Sequence, residues 1–208
     1  MTARESHLVE LVGEDGTPAG SATVQEAHEA PGQLHRAFSV FLRDDRGRVL
    51  LQQRAATKTR FPLRWGNTCC GHPGPGEDLT VAAQRRLKEE LGVAGMGLVE
   101  VGVYTYFAED PMTGRVEREY DHVLLGQIAT GTEFQPDPAE VARLRWTGLP
   151  DLRQRLESEP ETYAPWLSGV AERLSSYLSS PSPLPSPPSG SAALERSGSS
   201  VPERSGGR

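Results

Sequence analysis

The chain has 208 residues, of which 36% are apolar and 24% are charged, and its formal net charge is −6. This length predicts one domain with appendages, and an acidic balance without a block of basic residues argues against a nucleic-acid-binding surface. No stretch approaches the roughly 18 apolar residues of a membrane span, and the first residues lack the apolar run of a signal peptide. The only cysteines, Cys69 and Cys70, are neighbours, and we expect a reducing cytoplasm.

The end of the chain differs in composition from the rest. Residues 179–208 contain no aromatic side chain and are dominated by Pro, Ser and Gly. Such a segment cannot bury enough apolar surface to offset the entropy of ordering. We therefore expect a folded unit over residues 4–178 and a disordered tail over residues 179–208.

The first half of the folded unit is predicted to be mostly strands. A strand over residues 7–12 precedes turn sequences over residues 13–20. Apolar residues 34–42 and 49–53 flank an Asp-Asp-Arg-Gly turn, which predicts a hairpin. The Gly- and Pro-rich residues 61–76 predict a long loop.

A helix is predicted next, with Asp78 or Thr80 as its cap and Gly92 at its end. The remaining predicted elements are strands at 98–107, 120–128 and 141–146, and helices at 149–156 and 165–178. Because strands outnumber helices and their order is mixed, we expect an α/β or α+β sandwich with a mixed sheet between helices.

The most specific pattern begins at Gly71. Glu77 follows after five residues, Arg85 after seven more, and then comes the run R-R-L-K-E-E-L-G-V. This resembles the Nudix box, G-x5-E-x7-R-E-U-x-E-E-x-G-U with U aliphatic, in every position but one. Arg86 stands where the box has the first Glu of its helix. Nudix hydrolases use the carboxylates of the box to hold metals at a diphosphate, so Arg86 weakens a hydrolase interpretation but leaves Glu90.

The predicted helix has two distinct faces. Ala83, Leu87 and Leu91 recur every four residues and form a stripe suited to burial. Arg86 and Glu90 lie about 100° around the helix from that stripe and can face a cleft. There they suit a phosphate and a divalent cation, although the same spacing also suits a salt bridge on a solvated helix.

Histidines and paired acids form a second constellation. His28 and His35 flank a Pro-Gly pair, and His72 follows Gly71. In an extended segment Glu117 and Glu119 project from one face, where they repel each other unless a cation or a proton intervenes. The alternative is a solvated edge strand. Imidazole and carboxylate together suit Zn, Mn, Fe or related ions, so they do not identify the metal.

A third pattern, N-x-x-C-G-H-P over residues 67–73, resembles the active-site segment of type I isopentenyl-diphosphate isomerases. Other segments match this family in order: L-H-R-A-F-S at 34–39, R-A-A-T-K at 54–58, Y-F-A at 106–108, E-R-E at 117–119 and P-W at 165–166. The resemblance covers residues 5–178, which is essentially the whole predicted folded unit.

The resemblance implies a role for each matching residue. A divalent metal, Mn²⁺, Mg²⁺ or Zn²⁺, is expected in a site of three His and two Glu, matched by His28, His35, His72, Glu117 and Glu119. A second ion, Mg²⁺, is expected to join the substrate diphosphate to Glu90. The diphosphate-binding cations are matched by Arg54, Lys58 and Arg86. The catalytic positions are matched by Cys70, Glu119, Tyr106 and Trp166.

The family implies interconversion of isopentenyl and dimethylallyl diphosphate in isoprenoid biosynthesis. A proton adds to the terminal CH₂, a tertiary carbocation forms, and a proton leaves C2. We expect Cys70 and Glu119 as the acid–base pair: metal coordination and Tyr106 tune Glu119 for proton delivery, and Cys70 accepts the C2 proton as thiolate. The two directions of the reaction exchange these roles. Trp166 is expected to stabilise the cation. The expected protein is a cytoplasmic monomer that binds a small diphosphate, and neither nucleic acid nor membrane.

Two alternatives and one departure accompany this interpretation. The chain could be a Nudix hydrolase of a nucleoside diphosphate derivative, or a non-catalytic Nudix-like binding module. Val24 stands where members of the isomerase family carry a Lys that contributes to diphosphate binding. This departure bears on affinity for the diphosphate and not on the type of reaction.

Overall fold

The computed structural model covers residues 3–180, so most of the predicted tail lies outside the described residues. A 3₁₀ turn at Ala3–Ser6 precedes the first strand, and a second one, Pro160–Thr162, precedes the last helix. The strands are β1 Leu8–Val12, β2 Pro18–Thr23, β3 His35–Asp44, β4 Val49–Arg54, β5 Trp65–Gly66, β6 Cys69–Gly71, β7 Leu98–Glu109, β8 Val116–Ile128 and β9 Val141–Thr147. The helices are α1 Val24–Ala27, α2 Leu79–Leu91, α3 Leu149–Ser158 and α4 Leu167–Ser179. None of the helices in this range is long and apolar enough to cross a membrane.

The sheet is mixed and is organised around β3. Strand β3 runs parallel to β8 along its whole length and antiparallel to β6 over Phe38–Val40. Strands β7 and β8 form a long antiparallel hairpin, while β9 pairs with β4. Strand β1 joins β2 to the end of β3 that carries His35. The predicted mixed sheet is confirmed.

Helices cover both faces of the sheet. The predicted stripe of α2 is fully buried and packs with Phe38, Val40 and Leu42 of β3. On the opposite face, α3 and α4 pack with Phe41 and Val123. Because successive residues of a strand face opposite sides, β3 contributes to both cores. The arrangement is the predicted sandwich of the α+β class.

The predicted helix over the box is confirmed with its caps. The carboxylate of Asp78 accepts hydrogen bonds from the backbone N–H groups of Thr80 and Val81. Gly92 ends the helix in the left-handed region, with φ of 72°, which glycine adopts without steric cost. Leu98–Glu109 and Val116–Ile128 confirm the second predicted hairpin, with longer strands than expected.

Two predictions about loops were wrong. The segment 61–76 contains β5 and β6, and β2 begins at Pro18 inside the segment predicted as a turn. Strand β6 has only three residues and is ordered by its long-range pairing with β3, which local composition does not reveal. The last helix begins at Leu167, because Pro165 and Trp166 lie in the turn before it.

Candidate metal centre and active site

Strand register brings three of the predicted site residues together. His35 on β3 is paired with Glu119 on β8, and Glu119 is paired with Tyr106 on β7. Glu117 lies two residues before Glu119, and therefore on the same face of β8. The predicted alternative, a solvated edge strand, is wrong, because Glu117 is 4% and Glu119 is 8% exposed.

His28 is positioned by a short helix and a tight turn. It caps the C-terminal end of α1, whose first turn is closed by reciprocal hydrogen bonds between Thr23 and Glu26. Gly32 then lets the chain approach β8, since a Cβ atom there would lie 2.4 Å from Val116 Cγ2. The backbone N–H of Val116 donates to the carbonyl of His28 at 3.0 Å, which ties the histidine to the start of β8.

His72 follows β6, the strand that also carries the cysteines. Gly71 pairs with Phe38 of β3, and a Cβ atom at Gly71 would lie 2.7 Å from the Phe38 ring and 3.1 Å from Arg86 Cγ. Glycine at this position thus allows β6, β3 and α2 to approach closely. His72 is thereby held at the end of β6 that meets the other histidines.

The three imidazole rings surround one point. Their centroids are 4.6 Å apart for His28 and His35, 4.8 Å for His35 and His72, and 5.2 Å for His28 and His72. Glu119 Oε1 is 2.9 Å from His72 Nε2, 3.6 Å from His35 Nε2 and 4.0 Å from His28 Nε2. Glu117 Oε2 is 2.9 Å from His28 Nε2. All five predicted ligands of the His/Glu site therefore converge.

Hydrogen bonding on the far side of two rings indicates what the cluster can hold. Nδ1 of His28 is 2.6 Å from the carbonyl oxygen of Val24, and Nδ1 of His35 is 2.8 Å from that of Gln33. A carbonyl can only accept, so each ring carries a proton on Nδ1, and the Nε2 atom that faces the cluster is the one available to a metal ion. Both Nε2 atoms and Glu117 Oε2 are buried without a hydrogen-bond partner among the described residues. Facing lone pairs of this kind fit a divalent cation.

His72 completes the set as a neutral ring. Burial lowers the pKa of His72 to about 4, although its hydrogen bond to Glu119 opposes the shift. At neutral pH the imidazole is therefore uncharged, which is the form that binds metals. His72 and Glu119 would therefore be two of the residues that hold a metal ion.

The two carboxylates are held in the same way. Glu119 turns Oε1 toward the imidazoles and accepts a hydrogen bond of 2.6 Å on Oε2 from the Tyr106 hydroxyl. Glu117 turns Oε2 toward His28 and accepts a hydrogen bond of 3.0 Å on Oε1 from Arg60 Nε. Burial and the nearby Glu119 raise the pKa of Tyr106 well above its usual value, so the phenol keeps its proton and donates.

Asn67 holds two of the predicted catalytic side chains. Its Oδ1 accepts from the Cys70 thiol at 3.2 Å and from Trp166 Nε1 at 3.1 Å. Its Nδ2 donates to the carbonyls of Val40 at 3.2 Å and Cys69 at 2.9 Å. Because the amide is fully buried and every contact matches a donor with an acceptor, Asn67 fixes Cys70 relative to Trp166.

The two cysteines face opposite sides of the sheet. Cys69 is fully buried in the core beneath α2, whereas Cys70 packs on the side of α3 and α4. Ser39 Oγ lies 3.6 Å from Cys70 Sγ and donates to Asp121 Oδ2 at 2.7 Å. Burial, reinforced by the Asp121 carboxylate, raises the pKa of Cys70 to about 12. Cys70 is therefore a thiol, not a thiolate, in the resting site.

A small cavity adjoins the metal-binding cluster. Its volume is about 60 Å³, and all four predicted catalytic side chains line it: Cys70, Tyr106, Glu119 and Trp166. Arg54 also lines it, with its guanidinium 5.3 Å from the centre of the Trp166 ring. The same guanidinium donates through Nε and Nη2 to the carbonyl of Arg60, at 3.2 Å and 2.8 Å.

A larger cleft of about 470 Å³ opens beside this cavity and shares Cys70 and His72 with it. Two of the predicted diphosphate-binding cations, Lys58 and Arg86, line the cleft. Three further cations line it that were not predicted: Arg4, Arg60 and Arg85. Val24 also lines it, where it adds no charge.

Arg86 and Glu90 form the salt bridge that the helix spacing allowed, but at the side of the cleft. They form an ion pair, but their side chains are only 9% and 2% exposed, so the pair is not on a solvated face. Arg86 also pairs with Glu89 at 2.7 Å, and Gln52 Nε2 donates to Glu90 at 3.2 Å. Lys58 forms an ion pair with Glu140, in which the ammonium nitrogen lies 2.5 Å from a carboxylate oxygen. The cations of the cleft are thus held by acidic side chains.

Known proteins similar to this chain decide its family. Residues 33–167 match the NUDIX domain. An isopentenyl-diphosphate Delta-isomerase of Nocardia farcinica is 61% identical over 164 residues, which are 79% of this chain and 92% of that protein. A second such isomerase, of Streptomyces coelicolor, is 46% identical over 168 residues, covering 81% of this chain and 83% of that protein.

The chain belongs to the isopentenyl-diphosphate isomerase family of Nudix proteins. The recognition made from the motifs is confirmed, and the alternative of a Nudix hydrolase is not favoured. A solved Deinococcus radiodurans structure is 18% identical with a TM-score of 0.64, covering 80% of this chain and 98% of that chain. A MutT NUDIX hydrolase from Burkholderia pseudomallei is 21% identical with a TM-score of 0.53, covering 68% of this chain and 98% of that chain. These likenesses concern the fold alone and confirm the Nudix-type sandwich.

Sequence reasoning missed the residues that support this isomerase-type site. Arg60 binds Glu117, and Ser39 lies between Cys70 and Asp121. Asn67 was part of the recognised motif, but no role was predicted for it. A signal for Arg60 was present in the run of basic residues after Arg54, and Ser39 ends the matching segment 34–39, but no role was predicted for either.

Proposed function

We propose that the protein interconverts isopentenyl diphosphate and dimethylallyl diphosphate in isoprenoid biosynthesis, as its family name implies. The observation that carries the proposal is that Cys70 and Glu119 line one small cavity next to a cleft containing Lys58 and Arg86. The thiol, the carboxylate and a cleft lined by cations are thus adjacent, as a proton donor, a proton acceptor and a diphosphate site would need to be. A substrate with a short hydrocarbon end and a diphosphate end fits this arrangement.

The acid–base pair is Cys70 and Glu119. Isomerisation needs a proton delivered to the terminal CH₂ and another removed from C2. The raised pKa of the Cys70 thiol leaves the proton on sulfur and the charge on the carboxylate in the resting site. Because the reaction is reversible, each group is the acid in one direction and the base in the other. Tyr106, which donates to Glu119 Oε2, keeps that carboxylate in place while its proton content changes.

Trp166 is proposed to stabilise the tertiary carbocation. Its indole lines the cavity, its ring centre lies 6.0 Å from that of Tyr106, and Asn67 fixes it through Nε1. An aromatic face attracts a cation without supplying a nucleophile that would trap it. The volume of the cavity is only about 60 Å³, so little room is left for water beside a bound hydrocarbon group.

The His/Glu cluster is proposed to hold Mn²⁺, Mg²⁺ or Zn²⁺ through His28, His35, His72, Glu117 and Glu119. A divalent ion bound there would supply positive charge that orients Glu119 and tunes its proton affinity for its acid–base role. Support comes from the convergence of His28, His35, His72 and Glu119, and from Glu117, which lies 2.9 Å from His28 Nε2. The buried atoms without hydrogen-bond partners among the described residues point the same way. The donor set of imidazole and carboxylate suits all three metals.

The diphosphate is proposed to bind in the large cleft with Mg²⁺ at Glu90. Arg86 is the present ion-pair partner of Glu90. Glu90 would hold the Mg²⁺ that accompanies the diphosphate, and Arg86, released from that carboxylate, would bind phosphate oxygens. Lys58 adds a second positive charge in the same cleft, and Arg54, from the inner cavity, is proposed as the third contact.

The deciding experiment is incubation with isopentenyl diphosphate and Mg²⁺ in D₂O. We expect dimethylallyl diphosphate and deuterium at carbon, without release of phosphate. Cys70→Ala serves as the inactive control, and Cys69→Ala as the matched variant on the other face of β6. Release of phosphate without a change of the double bond would instead establish the hydrolase alternative.

We also propose that the protein acts as a cytoplasmic monomer with one catalytic domain over residues 4–178. Both cysteines are free, which suits a reducing compartment. Light scattering coupled to size-exclusion chromatography tests the monomer, and a single mass near 22.6 kDa is expected.

A further inference from the structure

We propose that Arg60 is a positioning residue of the metal centre, which holds one oxygen of Glu117 so that the other faces the imidazoles. The inference rests on the proposed function for the role of the cluster, but it concerns metal binding and is tested without substrate. Arg60 matched none of the motifs from which the site was predicted.

The contact between Arg60 and Glu117 divides the carboxylate between two partners. Arg60 Nε donates to Glu117 Oε1 at 3.0 Å, while Glu117 Oε2 lies 2.9 Å from His28 Nε2. The side chains of Arg60 and Glu117 are 11% and 5% exposed, so water competes little with this contact. With Oε1 taken by the guanidinium, Glu117 offers a single oxygen to the cluster.

The guanidinium is itself held in place from several sides. Arg54 Nη2 donates to the Arg60 carbonyl at 2.8 Å, and the Phe61 N–H donates to Asp110 at 2.9 Å, which fixes the backbone around Arg60. Arg60 Nη1 donates to Glu5 Oε1 at 3.3 Å. A side chain fixed at both ends loses little further entropy when it orients another group, which is the property a positioning residue needs.

Arg60 is the counterpart of Tyr106. Tyr106 occupies one oxygen of Glu119 and leaves the other for the imidazoles, as Arg60 does for Glu117. Arg60 also places a positive charge beside two carboxylates that would otherwise repel each other. Without Arg60, nothing fixes Glu117 with one oxygen toward the imidazoles, so binding an ion would also have to order this side chain. The expected consequences are weaker metal binding and an altered coordination sphere.

The test measures Co²⁺ binding to metal-free protein by competition with a chelator and by visible absorption. Outer contacts to metal ligands are typically worth about 10–100-fold in affinity, and we expect a loss in that range for Arg60→Met, with a changed Co²⁺ spectrum. Arg115→Ala is the matched control. Arg115 reaches Glu5 at 3.4 Å, as Arg60 does, but it makes no ion pair with Glu117 in residues 3–180. The Co²⁺ affinity of Arg115→Ala protein should stay within about twofold of that of the unchanged protein, because Arg115 contacts none of the proposed metal ligands.

A second background separates positioning from a general structural effect. In Glu117→Gln protein, Arg60→Met should weaken Co²⁺ binding little further, because the contact through which Arg60 acts is already changed. A full additional loss there, or unchanged affinity and spectrum in Arg60→Met alone, would overturn the proposal. If circular dichroism shows that Arg60→Met protein is unfolded, Co²⁺ binding to Arg60→Lys protein is measured instead. It keeps the charge but lacks the Nε donor, so Co²⁺ binding must be weaker than in the unchanged protein for the proposal to stand.

These outcomes are independent of the proposed isomerase activity. A protein that converts isopentenyl diphosphate but binds Co²⁺ normally after Arg60→Met would refute the role of Arg60 alone. A protein that loses Co²⁺ affinity as expected, but never converts isopentenyl diphosphate, would refute the proposed function alone.

Discussion

Asn67→Asp exchanges the buried amide beneath the active site for a carboxyl group of nearly the same shape. The new group keeps an oxygen that can accept from Cys70 and Trp166. It replaces the NH₂ group that donates to the carbonyls of Val40 and Cys69, so an oxygen faces two oxygens. The variant therefore tests whether the donor side of Asn67 organises the site.

The size of the effect follows from these contacts. Two lost hydrogen bonds cost about 1 kcal/mol each, and leaving buried carbonyls without a donor adds roughly 1 kcal/mol more. We expect Asn67→Asp to lose about 3 kcal/mol of unfolding free energy. For a chain of this size each kcal/mol corresponds to about 2–4 °C, so the melting temperature should fall by roughly 6–12 °C.

The loss should depend on pH in a defined direction. Burial beside carbonyl oxygens raises the pKa of the introduced carboxyl group above its unfolded value of about 3.9. A group whose pKa is raised on folding favours the folded state most when it is protonated, and that advantage disappears as the pH rises through the folded pKa. The gap between Asn67→Asp and the unchanged protein should therefore widen from pH 5 to pH 8.

The assay is urea unfolding at pH 5 and pH 8, monitored by circular dichroism, from which the free energy of unfolding is obtained. Gln127→Glu is the control, because it makes the same chemical change at an exposed position of β8 and should stay within about 0.5 kcal/mol. A stability of Asn67→Asp equal to that of Gln127→Glu at pH 8 would refute the reasoning. It would mean that the Asn67 amide does not donate to the two carbonyls.

Three other predictions concern separate parts of the molecule. Cys70→Ala should abolish conversion of isopentenyl diphosphate while Cys69→Ala leaves most of it, and equal losses would contradict the assignment. Glu90→Gln should weaken productive diphosphate binding, whereas His28→Ala should remove metal from dialysed protein; metal analysis showing the reverse would refute the two-site scheme. Although burial opposes it, hydrogen bonds from Phe61 and neighbouring groups lower the pKa of Asp110. Its stabilisation over Asp110→Asn should be present at pH 7 and shrink below about pH 4 in urea unfolding, and a constant difference would contradict this.

Local patterns sufficed where one element carries the whole argument. The spacing of Ala83, Leu87 and Leu91 predicted the buried stripe of α2, and Asp78 with Gly92 predicted its ends. These features depend on neighbours within a few residues, for which helix geometry and capping chemistry are reliable guides. They do not depend on how the rest of the chain folds.

The small strand β6 shows why other features could not be predicted from local patterns. Its residues read as loop because Gly71 and the prolines after it dominate their neighbourhood. Pairing with β3 turns Cys69 into the core beneath α2 and Cys70 into the cavity. The alternation of a strand thus separates two chemically identical neighbours into a packing residue and a proposed catalytic one. Only the family motif, with Cys directly before Gly71-His72, distinguished them beforehand.

The remaining parts of the site arise where distant segments meet. Arg60 is 57 residues from Glu117 in sequence, and Asn67 is 99 residues from Trp166. Each pair depends on the register of β8 or the start of α4, which no local pattern specifies. The motifs accordingly identify the groups proposed to bind substrate and metal, whereas the contacts that orient these groups arise from the fold. The value of Arg60 and Asn67 as targets follows from this division, because changing either one alters the geometry of the site while leaving every predicted ligand and catalytic group in the chain.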